Sequence, residues 1–276
     1  LFMIILQFII YIHIHIKFVN STSNSVSDEY NVIYNVGIGG KGTTLIPKSG
    51  EYHSVVLFLH GLGGISNGFI IKMYNFNLKY TKFILPDAPK RSITLHNGDI
   101  NPGWSDISGL LESSPEDKVG FDESAVRMRL IIENEMKNHR ITSNRIVIGG
   151  FSQGGALALH TALRFPYKLA GCVALSSWLP FPYEYTDTIG TGIGTDTTTG
   201  NAATGTALSI ASSQLPILQC HGTADTTVPY KWGHHSHLLL KELIPHSKFI
   251  SITDMDHTTE VAELIEVSEF IKILLY

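Results

Sequence analysis

The feature that most restricts the fold of this 276-residue chain is a strand, a tight glycine-rich turn and a helix in immediate succession. Arg145-Ile146-Val147-Ile148-Gly149 has the apolar character of a strand covered on both faces. Gly150-Phe151-Ser152-Gln153-Gly154 then turns sharply, and Gly155-Ala156-Leu157-Ala158-Leu159 opens a helix. Glycines two residues either side of Ser152 let strand and helix approach without a Cβ clash. The turn lifts the Ser152 hydroxyl above the edge of a sheet and sets it at the positive end of a helix dipole.

The rest of the chain supplies the sheet that this turn requires. From about residue 53, short apolar runs recur: Val55–Leu59, Phe83–Leu85, Ile146–Ile148, Cys172–Leu175, Ile217–Cys220 and Phe249–Ile252. They do not alternate apolar with polar, as expected of strands in a parallel sheet buried on both sides. Between them lie helical patterns. Phe121, Ala125, Met128, Ile132 and Met136 fall on one face at a period near 3.6 residues, Gly155–Phe165 is a second helix ending before Pro166, and Lys231–Leu243 is a third. Alternation of this kind predicts an α/β three-layer sandwich with a mostly parallel central sheet and helices on both faces. Residues 25–276 are read as one such domain.

Two stretches fall outside the rhythm. Residues 1–24 form an apolar leader broken by Gln7, His13, His15 and Lys17, too short and polar at its end for a clear membrane span. Between Glu184 and Ser213, Thr, Gly, Ala and Ser dominate, which predicts a mobile surface insertion with too little apolar surface to offset the entropy of ordering. Gly37-Ile38-Gly39-Gly40-Lys41-Gly42 matches GxGxxG, with a possible strand Asn31–Val36 before it. Thr43-Thr44-Leu45-Ile46-Pro47 after it does not open a helix, so a dinucleotide role fails the context test.

Composition removes other classes. Twenty Lys and Arg against 24 Asp and Glu give a formal charge of −4, without the basic clusters of a nucleic-acid binder. Two cysteines, Cys172 and Cys220, do not make a disulfide framework; they read as buried thiols in neighbouring strands. No spacing of His, Cys and Asp suggests a metal site, and no cofactor is expected.

A serine hydroxyl needs a base to become a nucleophile. The turn around Ser152 resembles the nucleophile elbow of α/β-hydrolases, in which an acid and then a histidine follow the serine along the chain. His257, in the loop after the last apolar strand, is the expected base; His160 and the helical His234, His235 and His237 read as packing residues. Asp225 is the expected acid, in the loop that follows Pro216-Ile217-Leu218-Gln219-Cys220; Asp254 and Asp256 are the alternatives. His221 is the nearest rival base, but it precedes the acid and reads as shaping a turn. Two N–H donors must meet the oxyanion. One is expected from Gln153, directly after the serine, the other from Leu62 in the loop His60-Gly61-Leu62-Gly63-Gly64, where His60 reads as structural.

Several segments together resemble the acyl-protein thioesterases, relatives of small carboxylesterases and lysophospholipases. These are His60-Gly61-Leu62-Gly63, Leu85-Pro86-Asp87-Ala88-Pro89, Gly103-Trp104-Ser105-Asp106, Gly150-Phe151-Ser152-Gln153-Gly154-Gly155 and Gln219-Cys220-His221-Gly222. The resemblance implies an α/β-hydrolase with the triad Ser152, Asp225 and His257, oxyanion donors Leu62 and Gln153, and Trp104 near the acyl site. It implies a cytoplasmic enzyme acting on S-acylated proteins or lipid esters, with transient contact to a membrane surface and no nucleic-acid partner. A secretory or membrane-anchored location is the alternative if the leader is retained. Lysophospholipase or carboxylesterase activity is the alternative reaction, and an inactive binding module the alternative class. The chain departs from the resemblance at Gly64, where an aspartate is usual, and in its leader and its long 184–213 stretch.

Overall fold

The computed structural model describes residues 28–34, 40–185 and 208–276. The leader, residues 37–39 of the glycine-rich motif and most of the 184–213 stretch lie outside the described residues.

Eight strands make the central sheet: β1 Tyr30–Ile33, β2 Gly42–Pro47, β3 Ser54–Leu59, β4 Thr81–Pro86, β7 Ile146–Phe151, β8 Gly171–Leu175, β9 Ile217–Gly222 and β10 Ser247–Ile252. Their order is β1-β2-β4-β3-β7-β8-β9-β10. The strands from β4 to β10 run parallel, while β2 joins β4 and β1 joins β2 antiparallel. Each of the six apolar runs is a strand. The run Thr43–Pro47 belongs to β2, so the segment after the glycine-rich motif is a strand and not a helix. The strand foreseen at Asn31–Val36 is β1, which ends at Ile33.

Side chains alternate across the sheet and divide the core in two. Val55, Leu57, Ile146, Ile148, Cys172, Ala174 and Ile217 face one layer. That layer contains α2 (Lys118–Asn138), α3 (Gln153–Arg164) and α4 (Tyr230–Leu243). Val56, Phe58, Val147, Val173, Leu218 and Cys220 face the other layer, covered by α1 (Ile70–Asn75) and α5 (Val261–Leu275). Phe121, Ala125, Met128 and Ile132 of α2 are buried, as their spacing predicts. The two-residue period also settles the cysteines. Cys172 and Cys220 sit in adjacent strands but on opposite faces, so both are buried free thiols.

Helices α1 and α5 and one small hairpin were not foreseen in the apolar pattern. β5 (Lys90–Ile93) and β6 (Asp99–Pro102) form a separate antiparallel hairpin, closed by Asn97 (φ 56°) and Gly98 (φ 88°). At the edges of the 184–213 stretch the chain is packed. Tyr185 and Leu208 are buried, and Glu184 accepts from Arg164 at 2.5 Å and pairs with Lys118 at 2.9 Å. Glu184 and Tyr185 therefore belong to the folded body. Among the described residues no helix is long and apolar enough to cross a membrane.

Candidate active site

The carboxyl ends of β3, β7, β9 and β10 converge on one edge of the sheet, and the residues expected to carry the chemistry meet there. At the end of β7 the chain enters α3 through Ser152, whose φ of 56° and ψ of −126° are rare for a residue with a side chain. Three glycines permit this path. A Cβ at Gly150 would lie 2.4 Å from the Gly154 backbone, and one at Gly154 would lie 2.4 Å from the Leu59 carbonyl. At Gly155 it would press on the Ser177 side chain at 2.8 Å. The Ser152 N–H donates to Leu175 O at 2.8 Å and its carbonyl accepts from the Ser177 hydroxyl at 2.9 Å, so the strained turn is held from both sides.

His257 Nε2 lies 3.0 Å from Ser152 Oγ, and His257 Nδ1 lies 2.8 Å from Asp225 Oδ2. Phe151 packs against the imidazole with ring centroids 4.8 Å apart. The two loops that bring His257 and Asp225 together are cross-linked. Asp256 Oδ1 accepts the Thr226 N–H at 3.4 Å as well as the His257 N–H of its own loop at 2.7 Å, and Thr223 Oγ1 accepts the Asp254 N–H at 2.9 Å. The alternatives Asp254 and Asp256 thus serve the loop, while Asp225 alone of the three faces the ring.

Asp225 is nearly inaccessible, and burial alone would push its pKa up. Contacts with His221 and His257, the charge of His257 and the Val228 N–H overcome that and hold the carboxyl well below the usual range. Its Oδ1 accepts from Thr227 N at 3.0 Å and Val228 N at 2.9 Å. His221 is buried beside Asp225, with Nε2 at 2.8 Å from Val228 O and 3.4 Å from Asp225 Oδ2. These contacts tie it into the turn that carries Asp225.

On the other side of Ser152, the loop after β3 passes so close that a Cβ at Gly61 would lie 3.2 Å from Ser152 Cβ. His60 pins this loop. Its Nε2 accepts the Ala88 N–H at 3.0 Å, leaving Nδ1–H to donate to Gly61 O at 2.7 Å. Burial lowers its pKa, in keeping with this neutral form. Gly63 N–H donates to Pro102 O and Gly64 N–H to Gly61 O, whereas the N–H groups of Leu62 and Gln153 meet no hydrogen-bond partner among the described residues. A Cβ at Gly64 would come within 3.0 Å of Gly61 O and His60 Nδ1, so this version of the loop leaves little space for the usual aspartate.

Trp104, expected near the acyl site, has no exposed surface. Its indole N–H donates to His60 O at 2.7 Å, and its backbone N–H donates to Gln153 Oε1 at 2.9 Å. Gln153 Nε2 in turn donates to Ser105 O and Ser105 Oγ, both at 2.9 Å. Trp104 therefore supports the site from beneath. The Gln153 side chain, which sequence reasoning passed over in favour of its backbone, ties the serine turn to the 103–105 segment. Among the described residues no group of three or more His, Cys, Asp or Glu is placed to hold a metal ion.

A second feature without a sequence signal lies within electrostatic reach of Asp225. Glu263, in the first turn of α5, is fully buried and neither carboxyl oxygen meets a hydrogen-bond partner. Burial, with the charges of Glu260 and Asp225 adding to it against weaker relief from Lys72, pushes its pKa up to about 8 from 4.5. The native state therefore holds a proton that the unfolded chain releases. This contribution is complete below pH 4.5 and is lost as pH rises towards about 8. The expected slope is about 1.4 kcal/mol per pH unit at most. Glu263→Gln, which cannot ionise, should melt progressively above the wild type as pH is raised from 5 to 8. Parallel melting curves across that range would contradict a protonated Glu263.

The model of the phospholipase/carboxylesterase family matches residues 41–275. Acyl-protein thioesterase 1 homolog 2 of Dictyostelium discoideum is 32% identical over 232 residues, covering 82% of this chain and 95% of its own. Acyl-protein thioesterase 1 of Mycosarcoma maydis is 33% identical over 249 residues, covering 84% and 96%. Among solved structures, Zea mays acyl-protein thioesterase 2 superposes with a TM-score of 0.71 at 30% identity, covering 84% of this chain and 98% of that one. Arabidopsis thaliana SOBER1 superposes at 0.70 and 27% identity, covering 81% and 99%.

Proposed function

Because this chain belongs to the phospholipase/carboxylesterase family, with the fold of an α/β-hydrolase, we propose that it hydrolyses the thioester between a fatty acyl group and a protein cysteine. The observation that carries this reading is the continuous contact from Ser152 Oγ through His257 to Asp225 beside two unpaired backbone N–H groups. The names of the relatives, acyl-protein thioesterases over nearly their whole length, direct it to S-acyl proteins.

His257 Nε2 takes the proton of Ser152 Oγ as the oxygen attacks the acyl carbonyl carbon. The N–H groups of Leu62 and Gln153 receive the oxyanion, and the α3 dipole adds positive potential there. Collapse of the adduct breaks the C–S bond. The thiolate, with an unperturbed pKa of about 8.5, leaves without prior protonation and takes the proton from the His257 imidazolium, which returns the imidazole to its neutral form. Water, deprotonated by His257, then releases the fatty acid and restores Ser152. Asp225 stays ionised throughout, holding Nδ1–H and the imidazolium charge.

The family description also names phospholipases and carboxylesterases, so hydrolysis of lysophospholipids or small esters is the second reading. Comparing an S-palmitoyl peptide, lysophosphatidylcholine and a short nitrophenyl ester on one sample decides between them. The S-acyl peptide is expected to give the highest kcat/KM. A higher value for either ester overturns the thioesterase reading, and failure to label with a fluorophosphonate would point to an inactive fold.

A further inference from the structure

Ala88, Pro102 and Ile65, which bond to or follow the His60–Gly64 loop, help to line an open cleft of about 530 Å³. Lys41, Lys90 and Arg127 line it against a single acid, Asp87, and Ile65 and Pro102 give it apolar walls. The cleft and the site share their framework. Ala88, beside Asp87, donates to His60, and Pro102 accepts from Gly63. Arg127 is anchored with Nη1 donating to Asp87 O at 2.7 Å and its guanidinium over the Trp104 ring. One oxygen of Asp87 is already engaged by Ser66 N–H at 2.7 Å. The ammonium groups of Lys41 and Lys90 meet no carboxylate among the described residues. In a chain of net charge −4 this is a local excess of positive charge over apolar walls, without an internal counter-ion for its lysines.

We propose that this cleft binds an acidic segment of the acylated protein substrate, beside the cysteine presented to Ser152. The proposal rests on the thioesterase reading above and gives it a sequence preference. Charge complementarity sets the sign of the ligand, and shape selects its class. A cleft admits a peptide chain with its carboxylates, whereas the face of a lipid bilayer cannot follow a concave surface. The apolar walls would take the stems and neighbouring side chains of the segment while Lys41 and Lys90 meet the charges.

Three S-palmitoyl peptides that differ only in flanking residues, acidic, neutral or basic, test this at low ionic strength. The acidic peptide is expected to exceed the neutral one in kcat/KM by about tenfold, from the usual worth of a few exposed ion pairs. The ratio should shrink towards one in 0.5 M salt. In Lys41→Glu/Lys90→Glu the order should reverse in favour of the basic peptide, a gain that a misfolded protein cannot give. A ratio near one in the wild type, or an unchanged ratio in the double variant, overturns the proposal. Direct binding of the same peptides without the acyl group to Ser152→Ala separates the two readings. If the acidic peptide binds but no S-acyl peptide is cleaved by the wild type, the thioesterase reading fails and the cleft stands. If binding is confined to phosphatidylserine vesicles, the cleft belongs to a membrane surface and the peptide proposal falls.

Discussion

Ser152→Ala is expected to lower turnover of an S-palmitoyl peptide by about 10⁴-fold or more while leaving the fold intact. The size follows from what the hydroxyl does in the proposed reaction. Without Oγ no acyl-enzyme forms, and the remaining N–H donors and His257 can only assist direct attack by water. The contacts that hold the turn are made by the Ser152 backbone, to Leu175 and from Ser177, so alanine keeps them. The unusual φ of 56° is equally unfavourable for alanine, and melting temperature should change little. His257→Ala should cost about as much, and the double variant little more than either single one, since the two side chains act as one unit. Wild-type turnover by Ser152→Ala would remove Ser152 from the mechanism.

The serine turn was readable because it is local. Gly150, Gly154 and Gly155 face backbone or side-chain atoms within 2.4 to 2.8 Å of where a Cβ would stand, a demand that leaves a direct mark on the residues chosen. The parallel strands were readable for a related reason, since burial on both faces forces continuous apolar runs. Hairpin β5–β6 was missed because Lys90–Ile93 and Asp99–Pro102 are largely exposed and carry no such run. Its turn signal, Asn97-Gly98, was present in the sequence and could have found it. Trp104 illustrates a different limit. The family resemblance implied a place near the acyl site, whereas the ring is fully buried with its N–H on His60 O, and no local pattern tells an exposed wall from a buried support. Its ring packs against His60 and Arg127, and its backbone bonds to Gln153, all of them distant in the chain. Glu263 was silent for the same reason, because a glutamate in the first turn of a helix is ordinary until tertiary packing seals it from water.

Asp225→Asn is expected to reduce kcat for the S-acyl peptide by about 10³- to 10⁴-fold with far less effect on KM. The local donors make the substitution more damaging than its near-identical shape suggests. Oδ1 of Asp225 receives N–H groups from both Thr227 and Val228. In the variant, these donors would hold the amide oxygen at that position and turn the NH₂ towards His257 Nδ1. Nδ1 would then have to accept, placing the imidazole proton on Nε2, where it faces Ser152 Oγ and leaves no lone pair there to take the hydroxyl proton. The lost carboxylate would also have stabilised that charge. The rate of fluorophosphonate labelling should fall in parallel with kcat, because it draws on the same activation of Ser152. Raising the pH should not restore it, since the fault is the tautomer rather than an unremoved proton. Near wild-type labelling by Asp225→Asn would assign the orienting role to another residue around His257. Asp256, already on its N–H at 2.7 Å, would be the first to replace.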